Sequence, residues 1–113
     1  MEIREDREQG VLVVAVTGRV DSLSSGELET CLLAHAGRDK RLVVDMQGVE
    51  YISSAGLRVL LRLVNKMQEV KGDLVLCSMA DGVREVFELA GFASIFSIEP
   101  SLEAALARLE RKA

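Results

Sequence analysis

Four short apolar runs, each leading into a stretch with helical spacing, constrain this chain more than any other feature of it. Leu12 to Val16 is continuously apolar between Gly10 and Gly18. Leu42-Val43-Val44 ends at Asp45, Leu74 to Cys77 lies beyond Gly72, and a shorter, broken run from Ile95 to Ile98 lies beyond Gly91. Runs this brief, apolar at successive positions, suit strands covered on both faces. Between them the period changes. From Ser24 to Ala36, Leu28, Cys31, Leu32 and His35 recur at helical spacing, and Gly37 follows. Ala55 to Val70 is the clearest helix: Leu57, Leu60, Leu61, Val64 and Met67 share one face, and Arg58, Arg62, Asn65 and Glu69 the other. Val83, Val86, Phe87 and Ala90 mark another helix, ended by Gly91. Pro100 opens the last, with Leu102, Ala105, Leu106 and Leu109 inward.

Before all this, Ile3 to Arg7 is mostly polar and suits an edge strand, turned by Glu8-Gln9-Gly10. The expected class is therefore α/β. It has an N-terminal edge strand, then four strand–helix units building a mostly parallel sheet of four to five strands with right-handed crossovers. A chain of 113 residues fits one such domain, spanning 1–113.

Composition excludes several classes of function. The net charge of −4 argues against a nucleic-acid partner, because no basic surface dominates the field. Phe87, Phe92, Phe96 and Tyr51 are too few for a base-stacking platform. Met1 to Glu8 is charged and has no secretory core, and no apolar run reaches membrane-spanning length. The expectation is a cytoplasmic protein, complete as one module, with no membrane partner. Cys31 and Cys77 sit among apolar residues and read as buried free thiols, with no metal site. No Walker-type loop or dinucleotide fingerprint occurs, so no cofactor is expected. His35, the lone histidine, falls toward the far end of its helix, away from any strand-end nucleophile, so no Ser–His–Asp device is expected.

In open α/β sheets chemistry gathers at the carboxyl ends of the strands. Asp21-Ser22, Asp45 to Ser54, and Ser78 to Asp81 occupy such loops, which can bring Asp21 near Ser54. Ser53-Ser54-Ala55-Gly56 directly precedes the strongest helix. Either serine can cap it. A phosphate on an exposed serine there would meet free N–H groups and the positive end of the helix dipole. Asp21 reads as a turn residue, as the cap of the first helix, or as a group that orients a partner. Val59, Leu63 and Val70 widen the apolar surface of the long helix, either to pack on a neighbouring helix or to form a docking face beside Ser54.

The stretch from Asp45 through Tyr51-Ile52-Ser53-Ser54-Ala55-Gly56-Leu57-Arg58 to Leu60 resembles the signature of the anti-sigma-factor antagonists, stand-alone STAS domains. Gly18-Arg19-Val20-Asp21 is similar to that family's earlier element, and the late Gly91-Phe92 and Ile95-Phe96 segments fit as well. The resemblance implies Ser54 as phosphoacceptor, two residues before the motif glycine. It implies a partner surface drawn from Asp21, Ser53, Ser54, Gly56, Val59 and Leu63. Many members carry Asp before the acceptor; this chain carries Ser53, which makes Ser53 a competing acceptor. The implied cycle has an anti-sigma factor that is also a serine kinase, bound when Ser54 is unmodified and released when it is phosphorylated, and a phosphatase that resets the protein. The chain would then be a substrate and binding partner, with no enzymatic activity. Two other functions remain open: a nucleotide-binding or weakly hydrolysing protein, and a scaffold subunit of a sensory complex.

Overall fold

The computed structural model describes residues 1–112. Strand β1 (Glu2–Glu8) turns through Gln9 and Gly10 into β2 (Val11–Val20), pairing antiparallel with it from Glu2 opposite Thr17 to Glu8 opposite Val11. Helix α1 (Ser25–Ala36) leads to β3 (Arg41–Ile52), α2 (Ser54–Glu69) to β4 (Asp73–Cys77), and α3 (Asp81–Leu89) to β5 (Ile98–Glu99); α4 (Leu102–Lys112) closes the chain. The five strands lie in sequence order, and all pairs after the first are parallel. This is the expected α/β class with its edge strand.

Successive crossovers in one direction place α1, α2 and α3 on one face of the sheet. The core agrees. Leu12, Val14, Val16, Leu42, Val44, Leu74 and Leu76 point to that face and meet Leu28, Leu32, Leu60, Leu63, Val83 and Phe87. The alternate positions Val11, Val13, Val43, Val75 and Cys77 meet Ala105, Leu106 and Leu109 of α4 on the other face. Covering on both faces is the reason these runs are apolar without alternation.

Two boundaries differ from the sequence expectation. First, β3 does not end at Asp45, nor β2 at Val16: both run on as a parallel pair to Val20 and Ile52. Ala15 pairs with Asp45 but Thr17 with Gly48, and Gly18 pairs with Val49 but Arg19 with Tyr51, so β3 carries an extra residue at two places. Each bulge shifts the alternation, and the buried positions become Val44, Met46, Val49 and Ile52. The Asp45 carboxylate steadies the first bulge by accepting from the Gln47 N–H at 3.1 Å. Gly48 is required at that bulge, since a Cβ there would lie 2.5 Å from the Thr17 methyl. Second, β5 is Ile98–Glu99, not Ile95 to Ile98. Phe96 turns inward and meets Phe87 edge to face at 5.5 Å instead of extending the ladder. Pro100 precedes α4, and the Ser101 hydroxyl accepts from the Ala104 N–H at 3.1 Å at the helix start.

Candidate functional site

Two loops meet where the extended β2–β3 pair ends. Val20 and Ile52 are partners, Asp21 follows one, and Ser53 follows the other. The Ser53 N–H donates to the Val20 carbonyl at 2.8 Å and fastens the loops together. The third candidate loop, Ser78 to Asp81, is set back. β4 ends at Cys77, next to Asp45, about seven residues short of Ile52 along β3. With its two bulges the step spans five residues of β2, about 17 Å at roughly 3.3 Å per residue, so β4 hands over to this loop well short of the Asp21–Ser54 edge.

The two serines divide the work. Ser53 has extended backbone (φ −92°, ψ 173°) and is the N-cap of α2; its Oγ accepts from the Gly56 N–H at 3.3 Å. Its carbonyl accepts from the Leu57 N–H at 2.9 Å. Ser54 is the first helical residue and is exposed. The geometry forces this outcome: an N-cap side chain folds back over the first turn, and the next residue points away from it. No acidic side chain lies in the first turn of α2 to offset the positive helix end. Arg58, also exposed, follows Ser54 by four residues and so lies on the same helix face.

Gly56 faces inward and is buried, which corrects its assignment as a partner contact. A Cβ at this position would come within 2.8 Å of both Ile52 Cγ1 and Val20 Cγ1, and 3.3 Å of the Val20 carbonyl oxygen. Glycine lets the first turn of α2 sit directly on the ends of both strands. Gly56→Ala should therefore destabilise the fold by about 1–3 kcal/mol through overpacking. Thermal melts check this, and a variant that melts with the wild type would contradict the close approach.

Asp21 organises its own turn. Its Oδ1 accepts from the N–H groups of Leu23 at 3.0 Å and Ser24 at 3.2 Å, and its N–H donates to Ser24 Oγ at 3.0 Å. The Leu23 N–H above all, then those of Ser24 and the nearby Arg19 guanidinium, hold the carboxyl below the usual aspartate range. The helix cap is Ser24, so Asp21 is a turn residue.

The docking face drawn through Val59 and Leu63 does not exist as a surface. Val59 is 2% and Leu63 0% exposed, both inside the main core, and Val70 also packs against it. α2 lies against α1 as well as the sheet, and its buried stripe widens accordingly. The exposed large apolar side chains at this end of the β2–β3 pair come from residues outside that set. Leu23 is 93% exposed in the turn after Asp21, and Tyr51 is 41% exposed three residues before Ser54. The Arg19 guanidinium sits over the Tyr51 ring at 4.4 Å, making a broad platform. A leucine inside the polar run Asp21-Ser22-Leu23-Ser24-Ser25 was the available signal.

His35 lies in the last turn of α1, with Nε2 2.9 Å from Glu5 Oε2, so it serves no serine at this edge. The expectation of two buried thiols holds for Cys77 alone. Cys31 is only partly buried, and its Sγ lies 3.6 Å from Glu5 Oε2. Burial, then Glu5, pushes the Cys31 thiol up to about 11. Among the described residues no helix is long and apolar enough to cross a membrane.

Comparison with known proteins gives one consistent answer. The family model for the STAS domain matches residues 2–105. BtrV of Bordetella bronchiseptica, assigned as an anti-sigma factor antagonist, is 43% identical over 108 residues, covering 95% of this chain and 93% of that protein. The crystal structure of an anti-sigma factor antagonist from Mycobacterium paratuberculosis matches with a TM-score of 0.87 at 27% identity, covering 96% of this chain and 93% of that one. A Thermotoga maritima structure assigned to the same role has a TM-score of 0.89 at 14% identity, over 96% of this chain and 94% of its own, and speaks to the fold alone. With the sheet order, the Ser53–Gly56 helix start and a family match over nearly its whole length, this chain belongs to the STAS domain family.

Proposed function

We propose that this protein is a cytoplasmic anti-sigma-factor antagonist whose single STAS module (1–113) is switched by phosphorylation of Ser54. Its partners are an anti-sigma factor that is also a serine kinase, which it binds when Ser54 is unmodified, and a phosphatase that removes the phosphate. It acts as a kinase substrate and binding protein, without catalysis of its own. One observation carries this reading: Ser53 is committed to capping α2, while Ser54, one residue on, is exposed at the positive end of that helix. Ser53 is thereby disfavoured as the alternative acceptor. A phosphate on Ser54 would find the helix N-terminus and Arg58 at hand, so the fold tolerates it.

The docking surface in this reading surrounds Ser54 with Leu23, Tyr51 and Arg19, and Asp21 shapes the loop that carries Leu23. Leu23→Ser combined with Tyr51→Ser should weaken partner binding by about tenfold or more, near 1.4 kcal/mol, with an unchanged melting curve, because both side chains are exposed. Unaltered affinity would place the partner elsewhere. The function itself is tested by isolating the kinase on immobilised protein, incubating the pair with ATP and mapping the phosphate by mass spectrometry. Phosphate at Ser54 is the expected result. Phosphate only at Ser53, or no captured kinase that modifies the protein, would sink the proposal.

A further inference from the structure

Away from the Ser54 edge, β1 and α1 bring three ligand-type side chains together. Cys31 and His35 are four residues apart on α1 and so share a face. Glu5 shares the face of β1 that carries Ile3, which packs on the main core beneath α1 and α2. The Glu5 carboxylate, the Cys31 sulfur and a His35 ring nitrogen all lie within 4.8 Å of one another.

Two of the three edges between these atoms can be set against a coordination sphere. Tetrahedral zinc, with bonds of about 2.3 Å to sulfur and about 2.1 Å to oxygen or nitrogen, sets an S···O edge of about 3.6 Å and an N···O edge of about 3.4 Å. Cys31 Sγ to Glu5 Oε2 is 3.6 Å, already at that separation. His35 Nε2 to Glu5 Oε2 is 2.9 Å and would need to open by about 0.5 Å. The half-exposed Glu5 side chain has room for this movement.

The surrounding residues orient the histidine. His35 Nδ1 faces Asp39 Oδ2 at 3.5 Å, and Asp39 Oδ1 is held by Arg7 Nη1 at 2.8 Å. Without a metal the 2.9 Å contact puts a proton on Nε2, against Glu5; with a metal in that proton's place, the Asp39 carboxylate would hold the N–H at Nδ1, the usual support of a metal-bound histidine. An ion pair between strand and helix would account for Glu5 and His35 alone. Cys31 packs partly on the main core, yet its sulfur also lies against the same carboxylate oxygen that His35 meets.

We infer that Glu5, Cys31 and His35 form a three-ligand site for a divalent metal ion of the zinc class, its fourth position open to water or to a partner's side chain. A thiolate, an imidazole and one carboxylate select zinc over magnesium or calcium, which take oxygen ligands. On binding, the thiol proton leaves to solvent and the sulfur donates its lone pair to the metal. The ion would clamp the edge strand to α1, independently of Ser54.

The test uses tag-free, metal-stripped full-length protein titrated with Co²⁺ and then Zn²⁺. Co²⁺ should bind at one equivalent with a thiolate-to-cobalt charge-transfer band that Zn²⁺ abolishes, and Zn²⁺ should raise the melting midpoint. Cys31→Ser should remove the band, and Asp39→Asn should weaken Zn²⁺ binding by about 10–100-fold. Circular dichroism of the metal-free variants confirms that they are folded; should Cys31→Ser not fold, loss of the band in His35→Gln takes its place. Absence of a charge-transfer band in the wild type overturns the site. So does a band that persists in Cys31→Ser or His35→Gln, or a melting midpoint indifferent to Zn²⁺.

Discussion

Replacing Leu63 by alanine should cost about 2–5 kcal/mol of folding free energy and lower the melting midpoint by at least about 8 °C. Leu63 is 0% exposed at the centre of α2, within the core formed by α1, α2, α3 and the sheet. Truncation removes the transfer energy of its buried carbons and leaves a cavity that close-packed neighbours such as Val59, Leu60 and Met67 refill only in part. The prediction separates two readings of one helix. A docking residue would leave the melt nearly unchanged and act on partner affinity; a core residue moves the melt. Denaturant titration of Leu63→Ala decides between them, and a loss of stability below about 0.5 kcal/mol, the range of ordinary surface changes, would return Leu63 to the surface.

The contrast between Leu63 and Leu23 shows where sequence reading stops. Periodicity reports that α2 is apolar over a wide arc, but the width of the buried arc depends on how many neighbours the helix has. α2 has both the sheet and α1 against it, so Val59 and Leu63 face protein. Leu23, in a turn without periodicity, was marked only by being an apolar residue within a polar run. Central strands were legible because burial on both faces makes them continuously apolar, as at Leu12 to Val16 and Leu74 to Cys77. The second half of β3 was hidden for a physical reason. Two extra residues shift its phase, so that Met46, Val49 and Ile52 fall on one face at irregular spacing and mimic a loop. That hidden segment carries Ser53 and Ser54 beyond the end of β4 and level with the end of β2, which is why Asp21 shares their edge. The helix start itself was legible: a Ser-Ser pair ahead of a strong amphipathic helix left open which serine caps, and the Ser53 Oγ contact with the Gly56 N–H places the cap on Ser53.

Ser54→Asp, or phosphate on Ser54, should weaken binding of the anti-sigma kinase by roughly a hundredfold, about 3 kcal/mol. Ser54→Ala should leave it within about twofold, under 0.5 kcal/mol. The difference follows from where the charge sits. An unmodified hydroxyl is small and neutral, and a partner can close over the α2 start, Tyr51 and Leu23. A phosphate adds about −1.5 to −2 charges at the centre of that contact. In the free protein the charge is welcome, because it meets the N–H groups of the helix start and water. In the complex it must be stripped of that water or meet a surface built for a hydroxyl. The folded state should therefore keep its stability while the interface fails, so the melting curves of all three proteins should overlap.

The most direct measurement titrates the isolated kinase against wild-type protein, Ser54→Ala and protein phosphorylated at Ser54, with melting curves recorded on the same samples. The account predicts matched affinities for the first two and a loss of roughly a hundredfold for the phosphoprotein. Equal affinity for Ser54→Ala and the phosphorylated protein would contradict it.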